Sequence, residues 1–279
     1  MKLKTLLAAL LLLVTAPSFG IHDYPADSWW LEHDEQSTLS IDHSDWQHVL
    51  DQYVHASEDG INRVDYQSLQ ESPERLQSYL EAMSQVAIHQ YSRAEQFAFW
   101  VNLYNAITLN LVAEHYPVSS IRRIYGGLFR TGPWDEELFT VNGISLTLND
   151  IEHRILRPIW QDYRIHFVVN CASIGCPNLG KQALTAENQQ AVLNAAAIEF
   201  LSHPRGVRIE GNRVILSKIF KWYATDFGHN SETLLRKVAE YVPSEEVSSK
   251  LSGVSKLRYE YDWSLNATLY PRNLVTQGD

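Results

Sequence analysis

SRAEQFAFWVNLYNAITLNLVAEHYP, residues 92–117, decides the fold. Ser92 with Glu95 three residues on is a capping box, which starts a helix by giving its first N–H groups partners. The run that follows is apolar nearly all round until Pro117 stops it. Such a helix belongs in the centre of a fold, not on its surface. Asn102 and Asn105 interrupt it three residues apart and share a face. A buried amide needs partners or costs about 1–3 kcal/mol. Two readings follow. The pair holds a nearby loop by its backbone groups, or it lines a site and orients a substrate carbonyl or a catalytic histidine.

Working outward, Trp46, Val49, Leu50, Tyr53 and Val54 recur at helical spacing from Ser44, with Gly60 closing the segment. Ser72-Pro73 opens a second helix carrying Leu76, Tyr79, Leu80 and Met83. Beyond the central helix, the Gly-rich stretch IYGGLFRTGPWDEE (124–137) reads as a functional loop. LFTVNGISL (138–146) reads as a hairpin about Asn142-Gly143. LNDIEHRILR (148–157) is a short helix, IHFVVN (165–170) a short buried strand, and Thr185 caps a helix through Leu201. GVRIEGNRVILS (206–217) is another hairpin. Short helices in KIFKWYATDF and around Leu234 to Tyr241, then a strand near LRYEYDWSLN, complete the chain. Helices first and last with hairpins between predict an α+β fold: a central buried helix packed on a small, mainly antiparallel sheet.

The chain opens MKLKTLLAALLLLVTAPSFG, with Lys2 and Lys4 before an apolar run and small residues at Ser18 and Gly20. This reads as a signal peptide over 1–20, too short in its apolar part to span a membrane. An arm over 21–42 follows, with Trp29 and Trp30 packed on a single domain over 43–279. The expectation is a periplasmic or secreted protein without stable membrane insertion after cleavage. Losing Lys2 and Lys4 takes the net charge from −10 to −12. So acidic a chain argues against nucleic acid as a partner and leaves a small-molecule or peptide ligand.

Both cysteines, Cys171 and Cys176, lie just past the predicted strand. In an oxidising compartment a C-x4-C pair favours a disulfide clasp. A thiolate nucleophile requires a nearby histidine or helix N-terminus, and zinc would need further ligands such as His153 or His166. On a strand, His166 and Cys171 face opposite sides, so His166 would need a partner from elsewhere. His153 lies three residues after Asp150, a spacing at which a carboxylate sets a histidine tautomer. Asp150 can equally pair with Arg154.

FWVNLYNAITL (99–109), LTLNDIEHRILR (146–157) and HFVVNCASIGCPNL (166–179), in that order, resemble the signature blocks of the family called domain of unknown function 547. KWYATDF and YDWSLN are similar to its C-terminal blocks. The resemblance is firmest over 88–205 and carries Asn102, Tyr104, Asn105, Glu152, His153, Arg157, His166, Cys171, Cys176 and Pro177. In some larger eukaryotic proteins this domain is joined to glutaredoxin-like domains, an association with thiol chemistry. A central helix beside a strand that begins with histidine also resembles the papain and transglutaminase architecture. The sequence departs from that pattern at the helix N-terminus, Ser92-Arg-Ala-Glu-Gln, which has no thiol.

The resulting expectation is a Cys/His-dependent hydrolase or acyl transferase acting on an amide or thioester. His166, His153, Cys171, Cys176 and Asn105 are its catalytic candidates. Asn102, Tyr104, Glu152 and Arg157 are its binding candidates, with no cofactor or metal implied. The alternative is a non-catalytic envelope protein held by a Cys171–Cys176 clasp.

Overall fold

The computed structural model describes residues 29–126, 132–228, 230–251 and 257–268. The leader, arm residues 21–28 and the middle of the Gly-rich stretch lie outside them.

Helix α1 (Ser44–Tyr53) buries Trp46, Val49, Leu50 and Tyr53, the stripe that the spacing predicts. Strands β1 (Val54–His55) and β2 (Arg63–Val64) pair antiparallel. Helix α2 (Tyr66–Glu71) starts where the Asp65 carboxylate accepts the Ser68 N–H; six residues are too few to show a period. Helix α3 (Glu74–Ser84) follows Ser72-Pro73 and buries Leu76, Tyr79, Leu80 and Met83.

Helix α4 (Arg93–Glu114) is the axis of the fold, and every residue from Glu95 to Leu109 is buried. The Ser92 hydroxyl accepts the Glu95 N–H at 3.4 Å, but the Glu95 carboxylate does not complete the capping box. It accepts the Ile41 N–H at 3.0 Å and so ties the arm to the helix. Trp30, also buried, stacks edge-on to Trp29, which meets Trp100 of α4. Helices α2 and α3 pack against α4, as does the helical segment after the next hairpin.

That hairpin is β3 (Phe139–Val141) and β4 (Ile144–Leu146). Asn142 and Gly143 both have positive φ, 50° and 80°, as the mirror-image turn of a two-residue hairpin requires. The predicted short helix begins as a π-helix, Asp150–Leu156, and continues as α5 (Arg157–Trp160). Wider π turns change which residues share a face and recur at functional sites.

The predicted strand over 165–170 is not one. Tyr163–Phe167 form a 3-10 turn, started by the Asp162 carboxylate accepting the Arg164 N–H at 2.9 Å. Among the described residues no strand pairs with it, so β-rich composition loses to the partners available.

Helix α6 (Gln189–Ser202) starts four residues after Thr185, because Thr185 and Asn188 bond each other reciprocally. Strands β5 (Val207–Glu210) and β6 (Arg213–Ser217) form the second hairpin, and β7 (Leu257–Glu260) adds parallel to β6. Around this three-stranded sheet lie α7 (Ile219–Trp222), α8 (Ala224–Phe227), α9 (Ser231–Tyr241) and α10 (Glu245–Leu251). Phe167, Phe200, Phe220 and Phe227 pack with them as a second apolar cluster, distinct from the one around α4. The class is α+β, with small sheets at the side of a helical core. Among the described residues no helix is long and apolar enough to cross a membrane.

Just before α1, His43 is buried with Nδ1 2.8 Å from the Tyr79 hydroxyl, and its Nε2 has no partner. Burial pushes its pKa down from 6.5 to about 4, with Asp42 opposing. The unfolded chain therefore takes up the proton first as pH falls. Stability at this site is full above about 6.5 and lost between there and about 4, by about 3 kcal/mol at 1.36 kcal/mol per unit. Urea denaturation of His43→Gln should show an acid-side loss smaller than wild type by that amount; parallel curves would contradict it.

Candidate active site

The two apolar clusters meet along residues 165–177, where a pocket of about 520 Å³ opens. Its position depends on α4. Asn105 Nδ2 donates to the Val168 carbonyl at 2.9 Å, and its Oδ1 accepts the Asn170 N–H at 2.8 Å. The carboxamide thus gives the chain the pair of bonds that a neighbouring strand would supply. Asn102 does the same for Leu184, at 2.9 and 3.0 Å. Asn170 carries the restraint onward, accepting the Ala172 N–H and donating to the Pro177 carbonyl, both at 2.8 Å.

Between the cysteines the loop turns sharply. Ala172 has φ 56°, a left-handed conformation costing about 1 kcal/mol for a residue with a Cβ. Gly175 N–H donates to the Asp262 carbonyl at 2.8 Å, and a Cβ there would lie 2.7 Å from Asp262 backbone. This close approach requires glycine. It also places the Tyr261 hydroxyl 2.9 Å from both Cys171 Sγ and Ser173 Oγ.

Cys171 is half-buried on the pocket and Cys176 buried beside it; both are free thiols, so the expected disulfide is not formed. The Cys171 N–H donates to Cys176 Sγ at 3.2 Å. A hydrogen bond from the Cys176 thiol draws the Cys171 pKa below the ordinary 9.0; Ser173 and Tyr261 act the same way, against burial. Burial pushes Cys176 well up, and its neighbour Cys171 adds to that. The two thiols are thus shifted in opposite directions.

On the opposite wall, His166 Nε2 donates to Asp226 Oδ2 at 2.8 Å. Arg157 grips the same carboxylate with Nε and Nη2 at 2.6 and 2.8 Å. Burial alone would raise Asp226, but His166 and Arg157 together hold it well below the usual carboxylate range. Behind Arg157, Nη1 donates to His153 Nδ1 at 3.0 Å, and burial lowers the His153 pKa, so its ring is a neutral acceptor. Tyr223 stacks on His166 with ring centroids 3.8 Å apart. With Nε2 directed at Asp226, Nδ1 is the ring atom turned toward Glu152. It faces Glu152 Oε1 at 3.7 Å. Both atoms are buried without a partner among the described residues, while Tyr104 donates to Glu152 Oε2 at 3.2 Å.

Tyr104, Glu152, His166, Cys171 and Cys176 therefore line one pocket. His166 and Cys171 share it because the segment is a turn and not a strand, correcting the opposite-face expectation. Asn102 and Asn105 line a smaller pocket of about 160 Å³ on the other side of the loop, their amides committed to backbone. His153 and Arg157 stand behind Asp226 as its support. Sequence reasoning passed over Asp226, Tyr223, Tyr261 and Ser173. The only signal for the first three was their place in the KWYATDF and YDWSLN blocks. Among the described residues no group of three or more His, Cys, Asp or Glu converges as a metal site.

Fold and site define the class: an α+β protein with a thiol, a histidine and a buried glutamate around one pocket. Residues 88–201 match the family model described as "Protein of unknown function, DUF547", in agreement with the resemblance of the three sequence blocks. The match ends before Asp226 and Tyr261, so the site is completed by residues outside it. No curated protein and no solved structure matches the chain.

Alkylation of Cys171, followed by peptide mass spectrometry, should have its pH midpoint below 9.0, with Cys176 unmodified at the same pH. Tyr261→Phe removes a donor to the sulfur and should move the midpoint up. Equal reactivity of both thiols, or an unmoved midpoint, would contradict this electrostatic picture.

Proposed function

We propose that this protein is a thiol-dependent hydrolase or acyl transferase acting on an amide or thioester. The supporting observation is that Cys171, its pKa lowered, and His166, backed by Asp226 and Arg157, line one pocket. Cys171 thiolate attacks the substrate carbonyl carbon, forming a C–S bond and moving the carbonyl electron pair to oxygen. The Tyr261 and Ser173 hydroxyls, 2.9 and 3.3 Å from the sulfur, are the donors nearest to that oxyanion. Collapse breaks the C–N or C–S bond, and the leaving amine or thiol takes a proton from the His166–Glu152 pair acting as general acid. Water, or an acceptor nucleophile, then attacks the acyl-thioester, returns a proton to that pair and restores the thiolate. Burial keeps the Tyr104, Tyr223 and Tyr261 phenols protonated, and so as donors. Trp134, Trp222, Trp263 and Tyr261 touch ring to ring along one wall, a surface for the apolar part of a substrate.

The reading includes export: residues 1–20 are proposed as a cleaved leader that delivers the protein to the periplasm or exterior. A second reading, a non-catalytic envelope protein, draws support from Asn102 and Asn105, whose amides bond only backbone. Against it stand His166 Nδ1 and Glu152 Oε1, since a purely structural network leaves few buried polar atoms without partners.

The test is incubation with an activated phenyl thioester and intact-mass detection of an acyl adduct. Wild type should acylate at Cys171, Cys171→Ala should not, and His166→Gln should slow turnover by about a hundredfold or more. Acylation that persists in Cys171→Ala would sink the proposal.

A further inference from the structure

Hydrolysis leaves one group without a task. Cys176 is buried with its pKa raised, and it takes no part in the hydrolysis proposed above. A small hydrophobe would fill its place equally well if packing were its only contribution. Yet its sulfur lies against the other cysteine, accepting the Cys171 N–H at 3.2 Å and hydrogen-bonding the Cys171 sulfur.

We propose that Cys171 is a site of reversible oxidation by hydroperoxides, and that Cys176 resolves the oxidised form as an intramolecular disulfide. The geometry supports each step. Cys171 is the half-buried thiol of the pair and faces a pocket large enough for a small hydroperoxide. Its thiolate attacks the distal oxygen of the hydroperoxide. The S–O bond forms, the O–O bond breaks, and the departing alkoxide or hydroxide is protonated as alcohol or water. Tyr261 and Ser173 hydroxyls surround the sulfur and are the donors for that step and for the resulting sulfenic acid. Cys176 then attacks the Cys171 sulfur. The S–S bond forms, the S–O bond breaks, and water leaves with the thiol proton of Cys176. The hydroperoxide is reduced by two electrons and the dithiol oxidised by two.

Proximity makes the second step fast relative to further oxidation. In many proteins a resolving cysteine must be brought to the sulfenate by local unfolding; here the Cys176 sulfur already lies 3.2 Å from the Cys171 backbone nitrogen, within one turn pinned by Asn170 and by Gly175 against Asp262. The over-oxidised sulfinic state is irreversible without a dedicated repair enzyme, whereas a disulfide is restored by thiol exchange. In an exported protein this protects the nucleophile. It also reconciles the compartment with the free thiols, since the disulfide expected there is one redox state of the pair. The inference shares the reactive Cys171 thiol with the proposed hydrolase but requires no hydrolysis.

The experiment treats the reduced full chain with stoichiometric hydrogen peroxide and reads intact and peptide masses after alkylation. Wild type should lose both alkylatable thiols together, lose two hydrogens in mass, gain no oxygen, and regain both thiols with dithiothreitol. Cys176→Ala should accumulate a dimedone-reactive sulfenic acid at Cys171 and then sulfinic acid. Cys171→Ser should leave Cys176 reduced under the same treatment. If wild type gains oxygen at Cys171 while Cys176 remains alkylatable, or cross-links only between chains, the proposal is overturned. The wild-type masses decide this even if a variant fails to fold. A disulfide in a protein that acylates no thioester would support this inference while the hydrolase reading failed.

Discussion

The carboxamide of Asn105 is the constraint on which the site depends. It stands on a helix buried on all sides and offers one donor and one acceptor to a segment that has no strand beside it. Replacing it with an apolar residue would strand the Val168 carbonyl and the Asn170 N–H, at about 1–3 kcal/mol for each buried group left unpaired. The consequence passes along the chain through Asn170 to Ala172 and Pro177, so the cysteine turn inherits the rigidity of the helix. Asn102, one turn away, anchors the Leu184 segment in the same manner. A loop held in this way can carry reactive groups without the plasticity that loops usually have.

The second requirement is the join between the two apolar clusters. Ile165, Val168 and Val169 pack with the α4 cluster while Phe167 packs with the sheet cluster, so the backbone that bears His166 is pinned from both sides. Charged groups then sit at the seam in ordered pairs. Arg157 neutralises Asp226, Asp226 fixes the His166 ring, and His153 takes a remaining Arg157 N–H. Arg157 and Asp226 are only half-buried, so removing one partner costs less than the breaking of a fully buried ion pair, while His166 loses the group that orients it. The chain of bonds ends at Glu152 Oε1 and His166 Nδ1, which have no hydrogen-bond partner among the described residues.

Elements governed by local chemistry were legible in the sequence. The apolar run of α4, the stripes of α1 and α3, and the Asn142-Gly143 turn each follow from residues a few positions apart. Where a distant group supplies the decisive bond, local reading fails. Phe167-Val168-Val169 has the composition of a strand, but its backbone is satisfied by the side chain of Asn105, which sequence alone does not place there. The π turn over Asp150–Leu156 was read as an ordinary helix because a few residues with apolar spacing fit both. Cys171, Cys176 and His166 stood out by residue type. Asp226 and Tyr261 did not, since an Asp or Tyr near the end of a chain is unremarkable until the fold sets it against a histidine or a thiol.

Native-state amide hydrogen exchange, resolved residue by residue on the wild-type protein, tests the account most directly. Asn170 belongs to no helix or strand, yet its N–H is held by a side chain of the central helix. The account predicts that this amide exchanges only through the openings that expose α4 itself, with protection matching that of Asn105 and its neighbours. Exchange of Asn170 at the rate of an unrestrained loop, while α4 stays protected, would show that the helix does not hold the site.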